Sequence, residues 1–247
     1  MTNHKPLPPF LLNSVPKSGT HLMTQILLGI PHLSFSLKLQ NYASHLDESF
    51  LKKLNPDQFA RGHIFYEKSQ EALLRTFNMK QIFVYRDPRD IIVSLAYYVD
   101  KVRDKDLYPI LGGRPKKEQY LIAILGVNNK NFKYNNIAQR VNRYTGWIGK
   151  KNVLSVKYED LVYSKQSFSA AAQSIVNFLY RESEPPKPKH EIIESMHRSI
   201  NPDKSPTFRR GKIGDWRHEF DNEVKEAFKL VGGDLLIQLG YETDKNW

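Results

Sequence analysis

The chain has 247 residues, 40% of them apolar, which is enough to bury a full core and near the upper end of single-domain size. Lys and Arg number 37 against 26 Asp and Glu, and the net +11 favours a polyanionic partner: nucleic acid, an acidic membrane surface or a multiply phosphorylated small ligand. The absence of cysteine excludes disulfides, thiol chemistry and a Cys-built zinc site, and no run of about 18 apolar residues is present to span a bilayer.

The opening stretch, "MTNHKPLPPFLLNSV", lacks the basic and apolar segments of a leader, so a soluble, cytoplasmic protein is expected, folded as a single domain over residues 1–247. "FLLNSV" (10–15) is a short apolar run that enters a Pro-Lys-Ser-Gly loop, and "HLMTQILLGI" then shows helical apolar spacing that Pro31 stops. The same grammar returns in "KQIFVYRDPRDIIVSLAYYV": a buried strand, an Asp-Pro turn, then a helix. A third strand is expected at "NVLSVKY" (152–158), before "EDL" and the helical "SFSAAAQSIVNFLY". The segments "LYPILGGRPKKEQYLIAILG" and "EPPKPKHEIIESMHRS" are expected as helical insertions and loops. Strands alternating with helices predict an α/β fold with a mostly parallel central sheet flanked by helices and ligands gathered at the carboxyl ends of its strands.

Three segments carry chemistry. In "SVPKSGTHL" a strand runs through a glycine turn into a helix, which aims backbone N–H groups and the positive end of the helix dipole at one anion, with Lys17, Ser18 and Thr20 adding donors. The Walker A order is absent, because the lysine precedes Ser-Gly-Thr. Arg86 ends the second strand and Ser94 lies in the next helix, so a guanidinium and a hydroxyl can meet a second phosphate; the alternative is that Arg86, Asp87, Arg89 and Asp90 only pair with one another on a rim. In "FRRGKIGDW", Arg209 and Arg210 stand beside Gly211, which lets backbone approach a ligand closely.

Taken in order, these segments resemble the sulfotransferases that use 3′-phosphoadenosine 5′-phosphosulfate (PAPS), and the cytosolic, small-molecule type in particular. "SVPKSGTHL" is similar to the family's 5′-phosphosulfate loop, "VYRDPRDIIVS" to its 3′-phosphate segment and "FRRGKIGDW" to its Arg-Lys-Gly-x-x-Gly-Asp-Trp. The resemblance implies a fold like that of the P-loop NTPases, with PAPS as donor, adenosine 3′,5′-bisphosphate (PAP) as product and no metal. It also implies that Lys17, Ser18, Gly19 and Thr20 meet the 5′ end, that Arg86, Ser94, Arg209, Arg210 and Gly211 bind the 3′-phosphate, and that Tyr158 approaches the adenine. His21, beside the phosphate loop, is the rival candidate for the family's base, but its place at the helix N-terminus disfavours the protonated form and suits contact with the ligand better. The family base is a histidine between the first two motifs; here "FARGHIFYE" offers His63, with Arg61 in place of the family's lysine. Imidazole, with an ordinary pKa of about 6.5, suits proton removal near neutrality. Leu22 stands where many members carry an adenine-stacking tryptophan, so adenine packing is expected either to be weaker or to come from Met196 or another residue.

The implied acceptor is a small molecule with a hydroxyl or amine, held in an apolar pocket to which Phe65, Tyr66, Tyr97, Tyr98 and "YLIAILG" can contribute. Dimerisation through the family's Lys-Thr-Val-Glu segment is not expected, since "EFDNEVKEAF" lacks the Thr-Val pair, and the oligomeric state stays open. The rival readings are a P-loop kinase acting on a small molecule and a basic nucleic-acid-binding module; the resemblance favours neither nucleic acid nor a membrane span.

Overall fold

The computed structural model describes residues 5–38, 46–205 and 208–247. In chain order the elements are β1 (Phe10–Ser14), α1 (Thr20–Leu28), β2 (Ser34–Lys38), α2 (Glu48–Leu51), β3 (Gln58–Gly62), α3 (Lys68–Thr76), β4 (Lys80–Tyr85), α4 (Pro88–Val102), α5 (Tyr108–Leu111), α6 (Lys116–Leu125), β5 (Val127–Asn128), β6 (Lys133–Tyr134), α7 (Ile137–Thr145), β7 (Val153–Lys157), α8 (Tyr158–Val162), α9 (Lys165–Leu179), α10 (Lys189–Arg198), α11 (Trp216–Glu219) and α12 (Asn222–Gln238). They belong to two compact units: Met1–Tyr85 with Tyr144–Phe208, and Arg86–Arg143 with Arg209–Trp247.

The first unit is built on a parallel sheet in the order β2-β3-β1-β4-β7. The chain moves outward from β1 to β2, returns to β3 beside β1, and then crosses to β4 on the other side. The order therefore reverses at β1, and a crevice opens at the carboxyl end of the strand at such a switch point. The apolar runs expected as strands form β1, β4 and β7. β2 and β3 come in addition, β3 taking in the first residues of "FARGH".

Alternation along the strands puts Phe10 and Leu12 on the same face as Ile82 and Val84, where Ile26 of α1, Ile175 of α9 and Met196 of α10 join them in one buried cluster. α9 begins with a capping box in which Ser164 accepts from the Ser167 N–H and the Ser167 side chain returns the bond. α1 stops at Gly29, whose N–H donates to the Ile26 carbonyl at 3.1 Å, just ahead of Pro31. Gly29 also lets two backbones touch: a Cβ placed there would lie 2.5 Å from the Cα of Met196 on α10.

In the second unit, α4 starts as the Asp-Pro turn predicts, with Asp87 accepting from the Arg89 N–H at 2.8 Å and Pro88 in the first turn. α4, α6, α11 and α12 pack together, and β5 and β6 form a short antiparallel pair. The rings of Tyr120, Trp216, Phe220, Phe228 and Trp247 make a chain of tilted and edge contacts with centroids 5.2–6.4 Å apart. Among the described residues no helix is long and apolar enough to cross a membrane.

The contact at Gly29 gives a direct check on the packing of α1. Gly29→Ala forces α1 and α10 apart and is expected to lower unfolding free energy by about 1–3 kcal/mol in urea melts. An unchanged midpoint would contradict the contact.

Candidate active site

The loop that follows β1 is fixed at both ends. Val15 N–H donates to the Val84 carbonyl of β4 at 3.0 Å, and Ser18 N–H turns back to the Val15 carbonyl at 3.2 Å. Lys17 and Gly19 both take left-handed backbone, at φ 69° and 91°. Gly19 is the N-cap of α1 and no side chain caps that helix, so the first-turn N–H groups are aimed at whatever lies beyond the loop. Gly19 is required twice over: besides its φ, a Cβ there would meet the Tyr158 ring at 2.5 Å. Tyr158, in the first turn of α8 and 6% exposed, thus lies directly over the loop.

Ser18 shows what the loop is shaped to hold. The residue is fully buried, yet its Oγ has no hydrogen-bond partner among the described residues. An orphaned hydroxyl at the mouth of an uncapped helix, next to a lysine, fits the oxygens of a phosphate-type anion. Thr20 and His21 occupy the first turn of the same helix, both half-buried.

The His63 ring is held from β1. Its Nδ1 lies 2.7 Å from the Ser14 carbonyl oxygen and 3.2 Å from Ser14 Oγ, which is in turn 2.6 Å from Thr20 Oγ1. A carbonyl only accepts, so Nδ1 carries the hydrogen and the basic lone pair of the neutral ring falls on Nε2. Backbone on either side is locked: Asn13 donates through Nδ2 to the Ile64 carbonyl at 3.0 Å and accepts the Ile64 N–H at 2.8 Å, and Trp147 Nε1 donates to the same carbonyl at 3.0 Å. Arg61 donates to Thr24 Oγ1 of α1 at 3.1 Å and lies over the Phe35 ring at 4.5 Å; burial lowers its pKa. Its guanidinium therefore braces α1 through Thr24, which itself donates to the Thr20 carbonyl at 2.7 Å.

The second unit gathers the other predicted cations. Arg86 is 9% exposed; its Nη2 donates to the Lys212 carbonyl at 2.9 Å and stands 3.5 Å from Asp90 Oδ2. Asp90 also accepts the N–H groups of Gly214 at 2.8 Å and Trp216 at 3.2 Å. Burial pushes the Asp90 carboxyl up in pKa, against the pull of Arg86 and these donors. Ser94 is half-buried on α4. Arg209 pairs with Asp215, lies 3.6 Å from Glu219 and sits over the Tyr97 ring at 4.2 Å, while Arg210 is exposed and Gly211 takes φ 64°. The Asp87–Arg89 pair, placed on a rim in the alternative reading, is buried, with side chains 8% and 2% exposed.

Several aromatics proposed for an acceptor pocket have polar or ring partners in their own units. Tyr97 and Tyr120 both donate to Glu219, at 2.9 and 2.6 Å, and burial together with that carboxylate raises both phenol pKa values. Tyr66 donates to Glu71 at 2.6 Å and Phe65 packs on Tyr144. Met196, offered for adenine packing, is fully buried in the first unit's core, and Leu22 packs against that core. Sequence reasoning passed over Asn13 and Ser14; the signal for them was a polar pair closing an otherwise apolar strand.

The model of the sulfotransferase domain matches residues 7–240 of the chain. A 3-beta-hydroxysteroid sulfotransferase of Cavia porcellus is 26% identical over 168 residues, 62% of this chain and 54% of that protein, so the match spans about half the relative's length. Among solved structures, mouse sulfotransferase SULT7A1 complexed with PAP superposes with a TM-score of 0.68 at 21% identity, over 92% of this chain and 83% of that one. Retinol dehydratase in a complex with retinol and PAP gives a TM-score of 0.60 at 16% identity, over 95% and 83% of the two chains. These likenesses establish a shared α/β fold, and the family match, running through the loop after β1, the start of α4 and the segment before α11, identifies the chain as a member of the sulfotransferase family.

Proposed function

We propose that the protein transfers a sulfuryl group from PAPS to a hydroxyl or amine of a small-molecule acceptor by in-line displacement, with His63 as general base. One observation carries the reading: the Ser14 carbonyl, immediately before the phosphate-type loop, holds His63 by Nδ1 and so leaves Nε2 as the basic nitrogen. The family match and the orphaned Ser18 hydroxyl support the choice of donor.

When bound, the donor supplies a sulfuryl group already activated on its 5′-phosphate. Lys17, Ser18, Gly19, Thr20 and His21 hold that end, and the Lys17 ammonium offsets the charge that grows on the bridging oxygen as the S–O bond breaks. His63 Nε2 takes the proton that the acceptor loses as its new bond to sulfur forms. The doubly bonded Ser14 carbonyl accepts from the resulting imidazolium at Nδ1 and stabilises it. Arg61 adds positive charge and keeps α1 in place through Thr24. Arg86, Ser94, Arg209, Arg210 and Gly211 bind the 3′-phosphate, Tyr158 lies toward the adenine, and no step in this scheme calls on a metal.

The assignments separate in experiment. His63→Ala is expected to lower turnover by about 10²–10⁴-fold while leaving calorimetric affinity for PAP intact, and wild-type turnover in that variant would remove His63 from the chemistry.

The two phosphate sites have distinct signatures as well. Lys17→Ala should weaken PAP and AMP alike, whereas Arg86→Ala should weaken PAP by about tenfold or more and leave AMP unchanged. Equal PAP affinity in wild type and both variants would refute the site.

A further inference from the structure

The transfer scheme makes no use of Arg89, in the first turn of α4 and three residues after Arg86. It is 1% exposed. Its Nε donates to both Asp87 oxygens, at 3.0 and 3.1 Å, Nη2 donates to Asp87 Oδ2 at 2.8 Å, and Nη1 donates to Glu242 at 2.5 Å. Two indoles pack on the guanidinium, Trp216 at 3.9 Å and Trp247 at 4.5 Å from ring centroid to Cζ, and they meet one another edge-on at 5.2 Å. A guanidinium with so little water around it needs its donors and its charge met by protein, and Asp87, Glu242 and the two rings meet them.

These partners connect Arg89 to the groups assigned to the 3′-phosphate. Asp87, which Arg89 orients, caps α4 right after Arg86. Trp216, which Arg89 stacks on, gives its N–H to Asp90, the carboxylate 3.5 Å from Arg86, and the Arg86 guanidinium donates to Lys212 in the strand of chain leading to Trp216. Trp247 is itself placed by Phe228 of α12, ring to ring at 6.0 Å, and by the Lys245–Asp234 pair at 2.8 Å. Space for that pair comes from Gly233, where a Cβ would crowd the Lys245 chain at 3.1 Å.

We propose that the segment Glu242–Trp247 is a clamp on the 3′-phosphate site, with Glu242 and Trp247 as positioning residues that act through Arg89 on Arg86 and on the loop from Lys212 to Trp216. The inference rests on the donor reading above, and it predicts a ligand-specific effect that loss of packing alone does not produce.

The test is isothermal calorimetry with PAP and with AMP, which lacks the 3′-phosphate, on the 247-residue wild-type chain and on Trp247→Ala, Trp247→Phe and Glu242→Gln, each confirmed folded by its thermal transition. Trp247→Ala and Glu242→Gln are expected to weaken PAP about tenfold and leave AMP unchanged, with Trp247→Phe recovering most of the loss because a ring again covers Arg89. Undiminished preference for PAP in both Trp247→Ala and Glu242→Gln would overturn the clamp alone, as would an equal loss for the two nucleotides, which marks general packing. A wild type with no preference for PAP would overturn the donor reading and the clamp with it.

Discussion

The site depends first on the junction between the end of β1 and the chain that leaves β3. Asn13 presents an amide that bonds both backbone groups of Ile64, so these two segments stay in register past the last ladder bond. Ser14 then holds His63 by its carbonyl and Thr20 by its hydroxyl. One dipeptide therefore sets the tautomer of the proposed base and the first turn of α1, the helix proposed to face the donor. A buried amide satisfied on both sides is costly to disturb, because every broken bond leaves a desolvated polar group behind. That rigidity suits a reaction in which proton removal and S–O cleavage must be aligned in one geometry.

The second unit meets a different requirement, which is to keep cations close together without water. Arg86 and Arg89 are both buried at the start of α4, where the positive end of the helix dipole adds to their charge. Asp87 and Asp90 compensate locally, and Glu242 supplies a carboxylate from 153 positions away. The balance is uneven by design of the chemistry: Arg89 is enclosed by its partners, while Arg86 is set on the edge of the loop that carries Gly211 and Gly214. A guanidinium held by a backbone carbonyl and a carboxylate at 3.5 Å is already ordered, so binding the proposed phosphate would cost little side-chain entropy.

What could be read in the sequence was whatever is local in origin. The loop at Pro16–Thr20 and the Asp-Pro start of α4 declare themselves through residues a few places apart, and β1, β4 and β7 through unbroken apolar runs. β3 escaped that reading because "QFARG" carries an arginine and a glycine, and it becomes a strand through pairing with β1 and β2 on either side. α12 was hidden by Gly232 and Gly233, each costing about 1 kcal/mol in an isolated helix; the Phe228 ring packs so tightly over Gly232 that a Cβ would lie 2.6 Å from it. The roles of Ser14 and Trp247 were illegible for a related reason. One acts through its carbonyl, which every residue type possesses, and the other through a stacking partner far away in the chain.

The central proposal is that the protein binds a nucleotide bearing phosphates at both the 3′ and 5′ positions. Calorimetric titration of the wild-type protein with PAP and, separately, with ATP in the presence of magnesium tests it most directly. The account predicts saturable binding of PAP and little or none of ATP; saturable binding of ATP without binding of PAP would contradict it.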